Sequence, residues 1–210
     1  MGKIYPDLAG AFARSVGNVV YYLKAGENLV RSKSKKPYKS NTPAQQEQKG
    51  KFGDLNRLGS IVVDVVNVGF PQRPLKLSAV NMFFKVNKDC FKHTEGEQAV
   101  IDYERLVYSN GSLFPPQVKA TLDATDRVIE LSGTAMPELS RCRPDDIVYG
   151  VLMDTTNGFC QLVEICKRED GGTMSVKFPE FWDTDSTVVH AFAVSCDGKK
   201  ASKSVHVAVS

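Results

Sequence analysis

Residues 147–167 read IVYGVLMDTTNGFCQLVEICK. Two apolar runs, Ile147–Asp154 and Phe159–Lys167, flank Asn157-Gly158, a dipeptide suited to the positive φ angles of a tight hairpin turn. Each run is of strand length and contains no proline. The stretch is therefore expected to form two antiparallel strands, and the chain around it repeats the pattern.

Upstream and downstream, strands are expected at Ile101–Tyr108, Val118–Asp123, Arg127–Ser132, Thr173–Phe178, Thr187–Ser195 and Lys203–Val209. Turn signals separate them: Asn110-Gly111, Asp170-Gly171-Gly172 and Asp197-Gly198. In the second of these strands Val118, Ala120 and Leu122 share one face, as a period of two requires. Short strands with regular turns and no intervening helix point to a β-sandwich of immunoglobulin or fibronectin type III character. The Cys–Trp–Cys framework of true immunoglobulin domains is missing. Trp182 follows Pro179 in a connecting segment and is expected to pack over one end of the sandwich.

The first half of the chain has a different texture. Residues 1–15 read as an irregular lead-in. Val19–Leu23 and Leu29–Ser32 are rich in strand formers and enclose a turn at Lys24–Asn28, which gives a hairpin. Val19, Tyr21 and Leu23 fall on one face and Val20 and Tyr22 on the other, so both faces are apolar or aromatic. Ser32 to Asn41 lacks periodicity and reads as an exposed, extended basic arm. Thr42-Pro43-Ala44-Gln45 is a helix start, with Pro43 at the first helical position. Phe52, Leu55, Leu58, Ile61 or Val62, and Val65 continue that helix at three-to-four spacing to about Gly69. Gly50, Gly53 and Gly59 weaken it and suggest close approach of another chain. A second helix, Leu77–Lys88, has Ser78 as cap and Val80, Phe83 and Phe84 on one side. The expected organisation is mainly β (α+β). Residues 1–98 hold the hairpin, arm and helical pair, and residues 99–210 hold the sandwich.

A chain of 210 residues with 42 % hydrophobic and 24 % charged residues has the composition of a globular protein able to bury a core. The net charge of +3 hides an asymmetry. From Lys24 to Lys51 there are eight Lys and Arg against two Glu, a local +6 on a remainder of −3. The five cysteines, Cys90, Cys142, Cys160, Cys166 and Cys196, have no CxxC spacing. With His93, His190 and His206 they assemble no zinc pattern, and buried reduced thiols are expected. The start, MGKIYPDLAGAF, lacks the design of a signal peptide. Ile61–Phe70 is the longest apolar candidate, and Asp64 and Asn67 break it well short of a membrane span. These features imply synthesis in the cytoplasm without Sec export.

No catalytic constellation emerges. Asp145-Asp146 and Glu169-Asp170 sit in turn-like contexts and are read as solvated turn residues. Cys160 with His190 lacks an orienting third group. A P-loop and a dinucleotide fingerprint are both absent. A non-enzymatic protein without metal or cofactor is the expectation. His190 and His206 are placed in opposed strands as half-buried sheet residues.

Two groups of residues carry the sharper readings. Val19, Val20, Tyr21, Tyr22, Leu29 and Val30 of the hairpin are expected to contact other protein subunits. Arg31, Lys33, Lys35, Lys36 and Lys39 of the arm are expected to meet a partner's acidic surface or the phosphates of a nucleic acid, with Tyr38 available to stack on a base.

The order Val16-Gly17-Asn18-Val19-Val20, Lys24-Ala25-Gly26, Val30-Arg31-Ser32, Lys35-Lys36, Asn41-Thr42, Ala44-Gln45 and Gln48 to Phe52 resembles an uncharacterised family of proteins of about this length. Its members come from gut-type bacteria and their phages and carry GKVG, R-S-x-P and T-x-A-Q motifs. Ile101-Asp102-Tyr103 and Ser109 to Leu113 match a second block. Ser15 and Ser34 depart from the family's usual Lys and Pro. The resemblance supplies no reaction and implies a mobile-element or virion context. The functional expectation is a structural, oligomeric assembly protein, such as a phage or phage-like virion component. One alternative is a nucleic-acid-associated protein. Another is a carbohydrate- or surface-binding sandwich using Trp182, Phe181 and Tyr149 as exposed aromatics.

Overall fold

The computed structural model describes residues 2–3, 14–24, 26–33, 42–92 and 100–210. The chain forms two compact units, residues 1–45 and 46–210.

The first unit holds a four-stranded antiparallel sheet. Its strands are β1 (Gly2–Lys3), β2 (Arg14–Val16), β3 (Val19–Lys24) and β4 (Glu27–Ser32), in the spatial order β1-β4-β3-β2. The expected hairpin is β3–β4, with Tyr21 opposite Val30 and Tyr22 opposite Leu29. Its turn is tighter than expected, since Lys24 already pairs with Glu27. The lead-in is not wholly irregular, because β1 and β2 flank the hairpin. Gly17-Asn18 is itself a two-residue hairpin turn, with Gly17 at φ +57° and Val16 paired with Val19.

Three helices follow: α1 (Pro43–Ile61), whose first three residues fall at the end of the first unit, then α2 (Val63–Gly69) and α3 (Ala79–Asn87). Three helices replace the expected pair, because the first long helix breaks at Val62 (φ −96°, ψ 8°). Ile61-Val62-Val63 is a β-branched run, and such side chains crowd the preceding turn. Ser78 caps α3 as expected, its Oγ accepting from Asn81 N–H at 3.2 Å. Gly59 faces the chain's own α3 rather than another chain. A Cβ there would lie 2.6 Å from Phe84 Cζ and 2.8 Å from Val80 Cγ1.

A short ladder, β5 (Phe91–Lys92) with β6 (Val100–Ile101), leads into the sandwich. Its strands are β7 (Val118–Asp123), β8 (Val128–Gly133), β9 (Ile147–Asp154), β10 (Phe159–Lys167), β11 (Gly172–Lys177), β12 (Thr187–Val194) and β13 (Val205–Val207). One sheet has the order β7-β8-β11 and the other β10-β9-β12-β13, all antiparallel. Three strands facing four, with the chain crossing between sheets after β8, β10 and β11, is the immunoglobulin and fibronectin type III type of arrangement.

The expected strand Ile101–Tyr108 is a correction. Only Val100–Ile101 pairs, and residues 102–110 run irregularly. Some of their backbone groups bond to backbone outside any ladder, as Asn110 N–H does to Gly69 O, and others to distant side chains. Asn87 Oδ1 accepts from Val107 N–H at 2.7 Å, and Asn87 Nδ2 donates to Val107 O at 2.9 Å and Phe83 O at 3.0 Å. Ser204 Oγ accepts from Tyr108 N–H at 3.0 Å.

The four-stranded sandwich sheet is buried on both faces. Val148, Leu152, Val189 and Ala191 face the other sheet, within a core that includes Ile129, Leu131, Val163 and Val176. The alternate residues Val151, Met153, Phe192 and Val194 pack against Leu58, Val62, Val66 and Phe83 of the helices. That double burial is why 147–153 reads as a nearly unbroken apolar run. Helices and sandwich share this core, so the expected boundary at 98/99 falls inside the second unit.

Candidate assembly surface

Register fixes which side chains share a face of the N-terminal sheet. Directly opposed residues in an antiparallel pair point the same way. Val16, Val19, Tyr21, Leu23 and Val30 therefore lie on one face, and Val20, Tyr22, Leu29 and Arg31 on the other. Val16 is 67 % and Leu23 55 % exposed, Leu29 is buried, and Val19, Val20, Tyr21, Tyr22 and Val30 are half-buried. All six expected hairpin contact residues thus sit on one sheet, distributed over both of its faces. The Arg31 guanidinium lies 5.9 Å from the Tyr22 ring centroid, a cation–π contact that leaves Arg31 exposed at the end of β4. Lys33 follows, exposed, its backbone N–H bonded to Asn18 O at 2.6 Å. Lys35, Lys36, Tyr38 and Lys39 lie outside the described residues.

The groups with chemical potential in the second unit are dispersed. Cys160 pairs with Met153, which pairs with Val188, whereas His190 pairs with Val151. Cysteine and histidine are two strand spacings apart, roughly 10 Å before the register offset is added. Burial pushes the Cys160 thiol up to about 12, with Asp64 adding to the rise. His190 is fully buried rather than half-buried. Its Nε2–H donates to Glu104 O at 3.1 Å, and its ring packs edge-on against Tyr108 at 4.9 Å. Burial lowers its pKa to about 4, with His206 lowering it further and the Glu104 hydrogen bond opposing. His206 is the directly opposed partner on β13, as expected, and is exposed rather than half-buried.

Asp146 corrects the reading of Asp145-Asp146 as solvated turn residues. It is fully buried, with Oδ2 3.5 Å from Arg168 Nε. Burial raises its pKa, against the lowering effects of the Arg143 N–H and the Arg168 charge. Arg168 is buried too, and donates to Cys142 Sγ at 2.9 Å and to Phe114 O. Charge patterning along the chain could not reveal this pair, because its members are 22 residues apart, one just before β9 and the other just after β10.

Trp182 packs over the sandwich end. It is buried and stacks on Phe178 at 5.0 Å, and its Nε1–H donates to Thr187 Oγ1 at 2.9 Å. It is therefore no exposed aromatic. Tyr149 is half-buried, and only Phe181, at 60 % exposed, fits that description.

Among the described residues, no cluster of three or more His, Cys, Asp or Glu is placed to hold a metal ion. None of their helices is long and apolar enough to cross a membrane. No curated protein matches the chain. Residues 11–208, which span both compact units, match the model of a family of unknown function, DUF6266, and the chain belongs to that family.

Proposed function

We propose that this protein is a non-enzymatic structural subunit of an assembly and that the N-terminal sheet makes its subunit contacts. The observation carrying this reading is the sheet's two apolar faces. A single β-layer with apolar side chains on both sides needs cover from two directions. Val16 and Leu23 are large exposed apolar residues on one face. The edge strand β2 is exposed along its whole length and offers a site for strand addition. The resemblance to proteins of gut-type bacteria and their phages supports a phage or phage-like particle as the assembly.

The basic arm is read as a second contact, to an acidic protein surface. A nucleic acid is the other reading, favoured by the local charge of +6 between Lys24 and Lys51. Replacing Lys33, Lys35, Lys36 and Lys39 by Gln separates the two. An assembly arm loses oligomer in nuclease-treated protein, measured by light scattering. A phosphate-binding arm keeps the oligomer and loses nucleic-acid affinity, with a flatter salt slope. No change in either measurement would remove the arm from the proposed function.

A further inference from the structure

A cavity of about 260 Å3 opens on the second unit between α1, the residues after β6 and the β9–β10 turn. Its floor is apolar. Leu58 and Met153 are buried in the core beneath it, and Ile61 and Ile101 are half-buried at its sides. Its mouth is polar, lined by Asp54, Arg57, Tyr103, Thr155 and Thr156.

Asp54 and Arg57 are three residues apart on α1 and share a helix face. Among the described residues, no ion pair or side-chain hydrogen bond occupies the Asp54 carboxylate or the Arg57 guanidinium. Tyr103 is half-buried, and burial raises its pKa while the nearby Arg57 charge lowers it, so its phenol is neutral and able to donate. The opposite wall is held firmly. Asp154 Oδ1 accepts from the N–H groups of Thr156 and Asn157, each at 3.0 Å. Its Oδ2 accepts from Asn157 Nδ2 and Asp183 N–H, each at 2.9 Å. Thr156 is thus fixed before any ligand arrives, which lowers the ordering cost of binding.

We propose that this cavity binds a single carboxylate-bearing sugar ring, such as an exposed uronic or sialic acid residue of a glycan. Each group has a role. The Arg57 fork matches a carboxylate in bidentate fashion. Asp54 accepts from ring hydroxyls, and Thr156 and Tyr103 supply groups that both donate and accept. The Tyr103 ring and the Ile61 and Ile101 side chains offer apolar surface to the C–H face of the ring. The pair Asp54 and Arg57 sums to zero charge, so a bound monoanion leaves the site at a net −1 and a phosphate dianion at a net −2, and the singly charged acid is the less opposed of the two. The volume lies below the roughly 300–1,000 Å3 of clefts for drug-sized ligands and suits one ring.

The inference does not depend on the assembly reading, and its test uses the full chain. The methyl glycosides of glucuronic acid and N-acetylneuraminic acid, methyl glucoside and leucine are each titrated and followed by calorimetry. At least one acidic glycoside is expected to bind saturably, with the neutral glucoside weaker by about tenfold or more. Arg57→Gln is expected to abolish that discrimination, and Asp54→Asn to weaken both sugars, with circular dichroism unchanged. Absence of saturable binding by both acids, equal affinity for the neutral sugar, binding unaffected by Arg57→Gln, or preferential binding of leucine would each overturn the assignment.

Discussion

Asn87 shows what one side chain can do in place of a strand. Its amide pairs with both backbone groups of Val107, as a neighbouring strand would, while buried between α3 and the 102–110 segment. Asn87→Ala would leave the half-buried N–H and C=O of Val107 without their side-chain partner and is expected to cost about 1–3 kcal/mol, read from the urea midpoint. The local pattern of 101–108 gave no sign of this, because the partner lies 20 residues upstream. Buried His190 carries a pH prediction. Its pKa in the fold, about 4, lies below the ordinary value of 6.5, so the folded state resists protonation. The stability it supports is complete above pH 6.5 and falls as pH drops towards 4. The full loss approaches about 3 kcal/mol by linkage. His190→Gln keeps a donor for Glu104 O and removes the titration. Its urea midpoint should vary less between pH 7 and pH 4.5 than that of the wild type, and equal slopes would show that His190 is not the titrating group.

Among the elements, the helices separate into what local chemistry specifies and what packing specifies. The Ser78 cap and the start at Pro43 were legible, since both rest on neighbouring residues. The role of Gly59 was not, because the residues that fill its missing Cβ come from α3. Gly59→Leu is expected to destabilise by about 1–3 kcal/mol through overpacking against Phe84 and Val80. Gly53 lies on the same helix with open space around it, and Gly53→Ala is expected to stabilise by up to about 1 kcal/mol. Thermal melts of the two variants should move in opposite directions, and a shared direction would contradict the packing assigned to α1 and α3. The sandwich strands were the most legible elements. β9 and β10 were bounded correctly by apolar runs meeting at Asn157-Gly158. In the N-terminal sheet the hairpin was visible and its flanking strands were not, because two or three residues of edge strand carry too little pattern to read.

Within the second unit, the sheet β10-β9-β12-β13 is the middle of three layers, helices on one face and the second sheet on the other. Sequence texture separated helices from strands at residue 99 but could not show that they share a core, since sharing is a matter of contact rather than composition. Residues 46–210 contain both cores and are expected to fold alone, with β-rich circular dichroism and a cooperative melt. A noncooperative melt would show that the fold needs the first unit. The hairpin proposed to make the contacts was legible, because two apolar faces on paired strands are a local pattern. The proposal that other subunits cover those faces is tested by mass in solution. Sedimentation equilibrium of the full chain, beside a Val20→Lys and Tyr22→Lys double variant, addresses it most directly. Assembly through the N-terminal sheet requires a wild-type mass that rises with concentration to a multiple of 23.1 kDa, and a double variant that stays at or near 23.1 kDa with its sandwich folded. A wild-type mass of 23.1 kDa at every concentration would contradict it.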